Sequence, residues 1–174
     1  SHELMKNSDH SLNIALLLLL SASIGAHAST IINYGDFEAS TVWYNQVCED
    51  TGSGTYGAPE AAGDSLTFKP LGLEAFSEGG GSITNNAKVQ FDLQAKAGNA
   101  ISGLDFSEIG EYSMIGAAGP TYVDVTSNVS VTIYEVDGVA LASAFSTAST
   151  MTFSPEANGT FPLGAGPLTQ GVWD

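Results

Sequence analysis

The chain has 174 residues and is strongly acidic, with nineteen aspartates and glutamates against four lysines, no arginine and a net charge of −15. Because proteins hold nucleic acids by neutralising phosphates with lysine and arginine, this balance excludes nucleic acid as a partner. It also disfavours an anionic membrane surface, and it leaves divalent cations, neutral glycans and cationic partners open.

Residues 5–28 have the features of a secretory signal peptide. The apolar run Ile14–Ile24 is too short for a bilayer-spanning helix of about 20 residues, but it fits the signal-peptide core of about 7–15. Ala26-His27-Ala28 supplies the small-x-small pattern, which predicts cleavage after Ala28 and a secreted or cell-surface protein. Met5 is the natural start, so residues 1–4 are interpreted as read-through. An uncleaved anchor or a buried helix is the alternative.

Cleavage would leave residues 29–174 with three lysines, seventeen carboxylates, a net charge of −14 and no histidine. Without imidazole, no Ser-His-Asp triad, Cys-His pair or histidine zinc site can be built. Cys48 is the only cysteine, so it cannot form an internal disulfide. It is a buried small hydrophobe, an intermolecular bridge or the partner of a cysteine outside this chain.

A period of two dominates the rest of the chain and predicts half-buried strands. The clearest case is Val89, Phe91 and Leu93 alternating with polar residues. Longer strands are also predicted at 122–126, 129–134 and 141–153. Shorter strands are predicted at Ile31–Tyr34, Val42–Val47, Leu66–Phe68, Ile101–Ser107 and Tyr112–Ile115. No window shows convincing helical spacing.

Asp137-Gly138 is the strongest hairpin signal, because a type I′ turn needs positive φ at both central positions. In a hairpin without a bulge, Leu141 and Phe145 would lie on the same face of the sheet as Tyr134. Either both faces of the hairpin are then partly covered, as between two sheets, or a β-bulge shifts the register of one strand. Many short strands with one apolar face predict a single all-β domain over 29–174, an antiparallel, jelly-roll-like β-sandwich. Its predicted core is Val89, Phe91, Leu93, Val131 and Ile133.

Several short stretches occur in a characteristic order between residues 43 and 140. They are Tyr56–Pro59, Gly63–Pro70, Gly79–Gly81, Ala97–Ser102 and Glu108–Tyr112. In this order they resemble exported bacterial proteins that carry a C-terminal PEP-CTERM sorting signal. The last stretch is usually Glu-x-Gly-Asp-Tyr in that family, and Glu111 departs from it while keeping the charge. The resemblance implies export, sorting by an exosortase and a link with extracellular polysaccharide or biofilm, but no established activity.

The same resemblance predicts that the domain continues beyond the given sequence. Gly171–Asp174 looks like the opening of a strand, and a strand cut short would leave an unprotected edge. Further strands, a Pro-Glu-Pro segment, an apolar helix and a basic end would follow, with exosortase-type machinery as a partner. The alternative is a natural, frayed terminus.

Asn33-Tyr34-Gly35-Asp36-Phe37-Glu38 resembles the opening strand of carbohydrate-binding β-sandwich modules. In such modules a carboxylate near this strand can help hold a structural calcium, which implies Asp36 or Glu38 as ligands. Calcium takes six to eight oxygens and is abundant outside cells. The alternative is that Phe37 is core while both carboxylates face water, and then no cofactor is needed.

A glycan site would need exposed aromatic rings beside hydrogen-bonding groups, and Trp43, Tyr44 and Asn45 provide the best cluster. Adjacent strand residues face opposite sides, so one of the two aromatic residues is predicted to point outward. The other aromatic candidates are Tyr56, Tyr112, Tyr122 and Tyr134. Extracellular polysaccharide is the expected partner.

A glycosidase needs only two carboxyl groups, and Asp105, Glu108 and Glu111 could in principle supply them. If Glu108 points inward with Leu104 and Phe106, its pKa would rise; the alternative is a solvated bend. Three functions therefore remain. A non-catalytic surface or matrix protein is favoured, followed by a carbohydrate-binding module with or without calcium, and then by a carboxylate-dependent glycan-active enzyme.

Overall fold

A computed structural model describes residues 13–17, 30–51, 55–70, 72–78, 81–116, 121–164 and 168–174. These residues form strands, turns and irregular segments, with no helix among them. All strand pairs with a defined register are antiparallel. The prediction of an all-β, sandwich-like fold of antiparallel sheets is therefore confirmed.

The strands are numbered in chain order. They are β1 (Asn13–Leu17), β2 (Thr30–Glu38), β3 (Val42–Thr51), β4 (Glu60–Ala62), β5 (Ser65–Thr67), β6 (Ala87–Ala95), β7 (Gly110–Ile115), β8 (Tyr122–Asp124), β9 (Asn128–Val136), β10 (Val139–Thr150), β11 (Thr160–Pro162) and β12 (Leu168–Trp173). The strand predicted at Ile101–Ser107 is wrong, because residues 101–109 are irregular. Gly171–Trp173, predicted to open a strand, instead form the second half of β12, which begins at Leu168 and pairs with β7 along its whole length.

Contacts divide the described chain into two compact units. The first contains the described residues up to Ser102 together with Val129–Ala148, and the second contains Gly103–Asn128 together with Ser149–Asp174. The residues predicted to form one domain therefore contribute to both units.

A six-stranded sheet in the order β10-β9-β1-β6-β3-β2 organises the first unit. Its strand β1 belongs to the segment predicted as a leader, and it pairs with β6 on one side and β9 on the other. The sheet as described is thus that of the uncleaved chain. The β4–β5 hairpin forms a separate pair in the same unit.

The core of this unit lies under one face of β6 and β3. Along β6, buried and half-buried residues alternate without a break, so Val89, Phe91 and Leu93 are buried as predicted. Val131 and Ile133 on β9 are half-buried, so the prediction that they are core holds only in part.

The β9–β10 hairpin turns at Asp137 and Gly138, whose φ angles are 55° and 74°. Both lie in the left-handed region, as the predicted two-residue turn requires. Thr132 Oγ1 lies 2.9 Å from Ser146 Oγ, three residues beyond its partner in an unbroken hairpin. Of the two predicted alternatives, this offset favours a bulge that shifts one strand. The other alternative, in which both faces of the hairpin are partly covered, does not fit, because every residue of β10 is exposed.

In the second unit, β7 pairs with β12 and β8 pairs with β11. Phe161 is fully buried, and its ring centroid lies 4.9 Å from that of Tyr112 and 6.0 Å from that of Trp173. Tyr112 lies over Gly171, and Trp173 lies over Gly110 on the opposite strand. A side chain at either glycine would collide with the ring, so these glycines allow the aromatic packing.

Candidate functional site

The face of β2, β3 and β6 that points away from the core carries polar side chains around one tryptophan. Pleating directs alternate residues to this side. Cross-strand pairing places Glu38, Trp43 and Gln94 in one row, and Asn45 and Asp92 in the next. We call these five residues, with Lys96 at the end of β6, the outer face.

The two adjacent aromatic side chains of β3 point to opposite faces of the sheet, as strand geometry requires. Trp43 is half-buried on the outer face, whereas Tyr44 is 7% exposed and belongs to the core. The Tyr44 ring meets Phe91 edge-to-face at 5.3 Å, and its hydroxyl donates to the Asp64 carbonyl at 2.5 Å. Burial, and then the charge of Asp64, raises the pKa of Tyr44. Tyr44 is therefore removed from the candidate glycan site, and Trp43 and Asn45 stay.

Lys96 connects the tryptophan to the edge strand. Its Nζ lies 4.9 Å from the centroid of the Trp43 ring and donates to Glu38 Oε1 at 2.8 Å. It also donates to the Ala39 carbonyl at 2.5 Å. The ammonium thus fixes one face of the indole and neutralises the nearest carboxylate.

On the other side of Trp43 the outer face continues with hydrogen-bonding groups. Asn45 is paired with Asp92 across β3 and β6. Tyr134 on β9 donates to Asp92 Oδ1 at 3.3 Å. Burial, and then the Asp92 charge, raises the pKa of Tyr134. An indole, amides, a carboxylate and a phenol therefore occur along one surface.

The segment Asn33–Glu38 has a local structural explanation. Asn33 Oδ1 accepts from the amide of Gly35, whose φ is 87°. Asp36 Oδ1 accepts from the Gln46 amide at 2.8 Å, where β2 and β3 lose regular register. Phe37 is half-buried. The motif therefore shapes an irregular strand pair.

The two predicted calcium ligands, Asp36 and Glu38, already have partners. Asp36 accepts from Gln46, and Glu38 forms an ion pair with Lys96. Among the described residues no group of three or more His, Cys, Asp or Glu side chains could hold a metal ion. A calcium at Glu38 would have to compete with the Lys96 ammonium.

A buried polar cluster around Glu49 is absent from the sequence-based prediction. Glu49 is fully buried; Tyr34 Oη donates to its Oε2 at 2.7 Å, and the Tyr56 amide donates to its Oε1 at 2.9 Å. Burial and the Glu49 carboxylate raise the pKa of Tyr34 to about 12. The cluster attaches the segment at Tyr56 to the core side of β3.

Glu49 lies beyond the predicted strand, which ended at Val47, whereas β3 continues to Thr51 and is bulged at Gln46. Val42 and Tyr44 are buried, so unbroken alternation would bury residues 46 and 48 and expose Glu49. Gln46 has a φ of 54° and is exposed, which reverses the parity, so that Val47 and Glu49 point inward. Cys48 is consequently half-buried, and burial raises its thiol pKa.

The acidic residues considered for catalysis lie in the second unit and differ in environment. Asp105 and Glu111 are exposed, whereas Glu108 is half-buried and hydrogen-bonded to the buried Ser127. Burial raises the pKa of Glu108, and the Ser127 hydroxyl acts in the opposite direction. The Glu108 side chain is therefore partly buried, as the first of the two predictions required, but it lies in an irregular segment and not in a strand.

Replacing Glu108 with glutamine is expected to stabilise the protein at neutral pH. A carboxyl whose native pKa is raised is favoured when protonated, so its cost is absent below the unfolded pKa and grows as the pH rises through the native value. The melting temperature of Glu108→Gln should exceed that of the parent more at about pH 7 than at about pH 4. Glu111→Gln, at an exposed site, is the control. An equal gain at both pH values would contradict the buried charge.

The remaining aromatic candidates divide by exposure. Tyr56 is half-buried, and Tyr112 is stacked with Trp173 at 6.4 Å between ring centroids. Tyr122 is 58% exposed, but it lies on β8 in the second unit. Trp43 combines partial exposure with the amide side chain of Gln94 in its own cross-strand row and that of Asn45 in the next row.

In the described part of the chain, no helix has the length and apolar character needed to cross a membrane. Comparisons of the chain with protein-family models, with curated proteins and with solved structures find no match.

Proposed function

We propose that the chain is an exported, non-catalytic surface or matrix protein that binds neutral extracellular polysaccharide through the outer face around Trp43. The observation that carries the proposal is the separation of Trp43 from Tyr44. The indole is half-buried beside Gln94 and near Asn45, while the phenol is in the core.

The chemistry of the outer face suits sugar rings. Sugars offer apolar C–H faces for an aromatic ring, and their hydroxyls need both donors and acceptors. Trp43 supplies the ring, the amides of Asn45 and Gln94 supply donors and acceptors, and Asp92 supplies acceptors. Lys96 holds the indole in place, which lowers the entropy lost on binding.

Charge restricts the class of polysaccharide. Residues 29–174 carry a net charge of −14, so an anionic polymer would be repelled. The carboxylates of this surface, Glu38 and Asp92, are engaged by Lys96 and Tyr134, which favours binding over acid–base chemistry. A neutral polymer is the partner that fits.

Export rests on the predicted leader, and sorting to the cell surface rests on the PEP-CTERM resemblance. Both agree with a polysaccharide partner, since the protein would meet such polymers outside the cell. Exosortase-type machinery would then act on a sorting signal, and the outer face would act afterwards at the surface.

Trp43→Ala is expected to weaken polysaccharide binding about tenfold, because the lost aromatic contact is worth about 1.4 kcal/mol. Purified protein would be titrated with a neutral extracellular polysaccharide by calorimetry. Tyr122→Ala is the matched control, because Tyr122 is an exposed aromatic residue on β8 of the second unit. Its affinity should equal that of the parent.

Two further measurements test the site on the outer face and distinguish calcium-independent from calcium-dependent binding. Gln94→Ala should weaken binding while leaving the melting temperature unchanged, because Gln94 is on the outer face. The titrations should give the same affinity with excess calcium and with chelator. Equal affinities of Trp43→Ala and the parent would refute this site, and binding only with calcium would favour a calcium-dependent module.

A further inference from the structure

Two asparagines of the chain lie in the acceptor motif for N-linked glycosylation, which is asparagine, any residue except proline, and then serine or threonine. The two motifs are Asn128-Val129-Ser130 and Asn158-Gly159-Thr160. The three-residue motif does not distinguish them. Their surroundings in the fold do, because an acceptor must present its side-chain nitrogen at the surface, where a bulky sugar can be attached.

The motif at Asn128 is built into the β9–β10 hairpin. Asn128 is the first residue of β9 and is half-buried, and its Oδ1 accepts from Thr150 Oγ1 at 2.7 Å. Ser130 Oγ donates to the Thr147 carbonyl at 3.4 Å. Both polar side chains of this motif are therefore engaged by β10. A transferase could reach them only by opening the hairpin.

The motif at Asn158 lies on an exposed turn between β10 and β11. Residues 154–158 are all exposed. The Gly159 amide donates to the Glu156 carbonyl at 2.8 Å, which closes a β-turn with Asn158 at its third position. Within the described part of the chain, Asn158 Nδ2 has no hydrogen-bond partner. The nitrogen that would accept a sugar is therefore presented to solvent.

Gly159 fixes the conformation of this turn. Its φ of 72° lies in the left-handed region, and its carbonyl accepts from the Val125 amide at 2.8 Å. A side chain at this position would collide with the Val125 carbonyl. The fold therefore requires glycine in the middle of the motif, and the motif accepts any residue there except proline.

The turn also brings the two reactive ends of the motif together. The Thr160 amide donates to Asn158 Oδ1 at 3.1 Å, which forms an Asx turn. This hydrogen bond draws electron density toward Oδ1, so a proton of Nδ2 is lost more easily. The same turn places the hydroxyl residue of the motif beside the acceptor amide.

A carboxylate next to the acceptor indicates the class of enzyme. Glu156 is exposed two positions before Asn158 and extends the motif to Glu-x-Asn-x-Thr, whereas Thr126 stands at the corresponding position before Asn128. An acidic residue at this position suits a bacterial transferase that recognises it through an arginine. The extended motif and the exposed turn therefore select the same asparagine.

We propose that Asn158 is an N-glycosylation site for a bacterial oligosaccharyltransferase that uses a lipid diphosphate-linked oligosaccharide. A C–N bond forms between Asn158 Nδ2 and the anomeric carbon of the first sugar. The bond from that carbon to the diphosphate oxygen breaks, its electron pair leaves with the diphosphate, and one Nδ2 proton passes to a base of the transferase. The proposal rests on export, which is part of the proposed function, but not on glycan binding by the outer face.

A reaction with purified components tests the acceptor without export. The folded full-length chain would be incubated with a bacterial oligosaccharyltransferase and a lipid diphosphate-linked oligosaccharide, and its intact mass would be measured. The parent should gain one oligosaccharide, located at Asn158 by peptide mapping. Asn158→Gln and Thr160→Val should gain none, and Asn128→Gln should match the parent. Glu156→Gln should react at least about tenfold more slowly, since it loses a charge-assisted contact.

Thr126→Glu separates the effect of the fold from that of the sequence. It gives Asn128 the same five-residue pattern, and Thr126 is exposed and outside the strands. The folded variant should still gain only one oligosaccharide, because β9 and β10 engage the Asn128 motif. A synthetic peptide of residues 124–132 with the same substitution should be modified. A second oligosaccharide on the folded variant would contradict the argument from the fold.

Expression of the chain with its leader, in bacterial cells that contain the transferase and its donor, tests the modification during export. The exported fraction should contain protein modified at Asn158. Exported but unmodified protein would overturn the proposal, as would an unchanged mass of the parent in the purified reaction or a mass gain that Asn158→Gln retains. Protein that stays in the cytoplasm would contradict export, and the purified reaction distinguishes that failure from a failure at Asn158.

Discussion

Alanine in place of Phe91 is expected to lower the free energy of unfolding by about 3–5 kcal/mol. Phe91 is 9% exposed on β6, between the strands β1 and β3, and its ring meets Tyr44 edge-to-face. Truncation would remove the apolar contacts of the ring and leave a cavity under the sheet. Denaturant unfolding followed by far-ultraviolet circular dichroism would measure the change.

Phe76→Ala is the matched control for Phe91→Ala. The chemical change is the same, but Phe76 is 69% exposed, so its free energy of unfolding should change by less than about 0.5 kcal/mol. Equal effects of the two substitutions would contradict the assigned register of β6. A spectrum dominated by helix would contradict the all-β fold.

Tyr34→Phe is expected to cost about 1.5–3 kcal/mol, because it removes a hydrogen bond to the fully buried Glu49 carboxylate. The Tyr56 amide would remain as a partner of Glu49. Chemical unfolding of the parent and the variant at neutral pH measures the difference. Tyr122→Phe, at an exposed phenol, should be neutral.

The pH dependence gives a second test of the same hydrogen bond. The native pKa of Tyr34 is raised from 10.0 to about 12, so its contribution is fully present below the unfolded pKa and is lost as the pH rises through the native value. The stability difference between parent and Tyr34→Phe should therefore be constant up to about pH 9 and shrink between pH 10 and 12. A difference that is absent at neutral pH would contradict the buried cluster.

The sheet core could be predicted from the sequence wherever a strand is regular. On β6, period-two alternation alone identifies Val89, Phe91 and Leu93, because side-chain direction in a regular strand depends only on parity. On β3 the same rule fails after Tyr44, because the bulge at Gln46 reverses the parity. Glu49 was missed because the predicted strand ended at Val47, and extending it by regular alternation would have turned Glu49 outward.

The candidate site could be predicted only in part. Strand geometry requires that one of Trp43 and Tyr44 point outward, but which one depends on pairing with β6, some fifty residues further on. The partners of Asp36 and Glu38 are equally distant from the local motif. Glu38 pairs with Lys96, 58 residues away, so the six-residue motif could not show that its carboxylate is already neutralised.

The most direct test of glycan binding by the outer face is the tryptophan emission of the protein during titration with a neutral extracellular polysaccharide. The chain has two tryptophans, Trp43 on the outer face and Trp173 within the aromatic cluster of the second unit. We expect a saturable change in emission for the parent and none for Trp43→Phe, which retains Trp173. An equal change in both proteins, or no change in the parent at saturating polysaccharide, would contradict the proposed function.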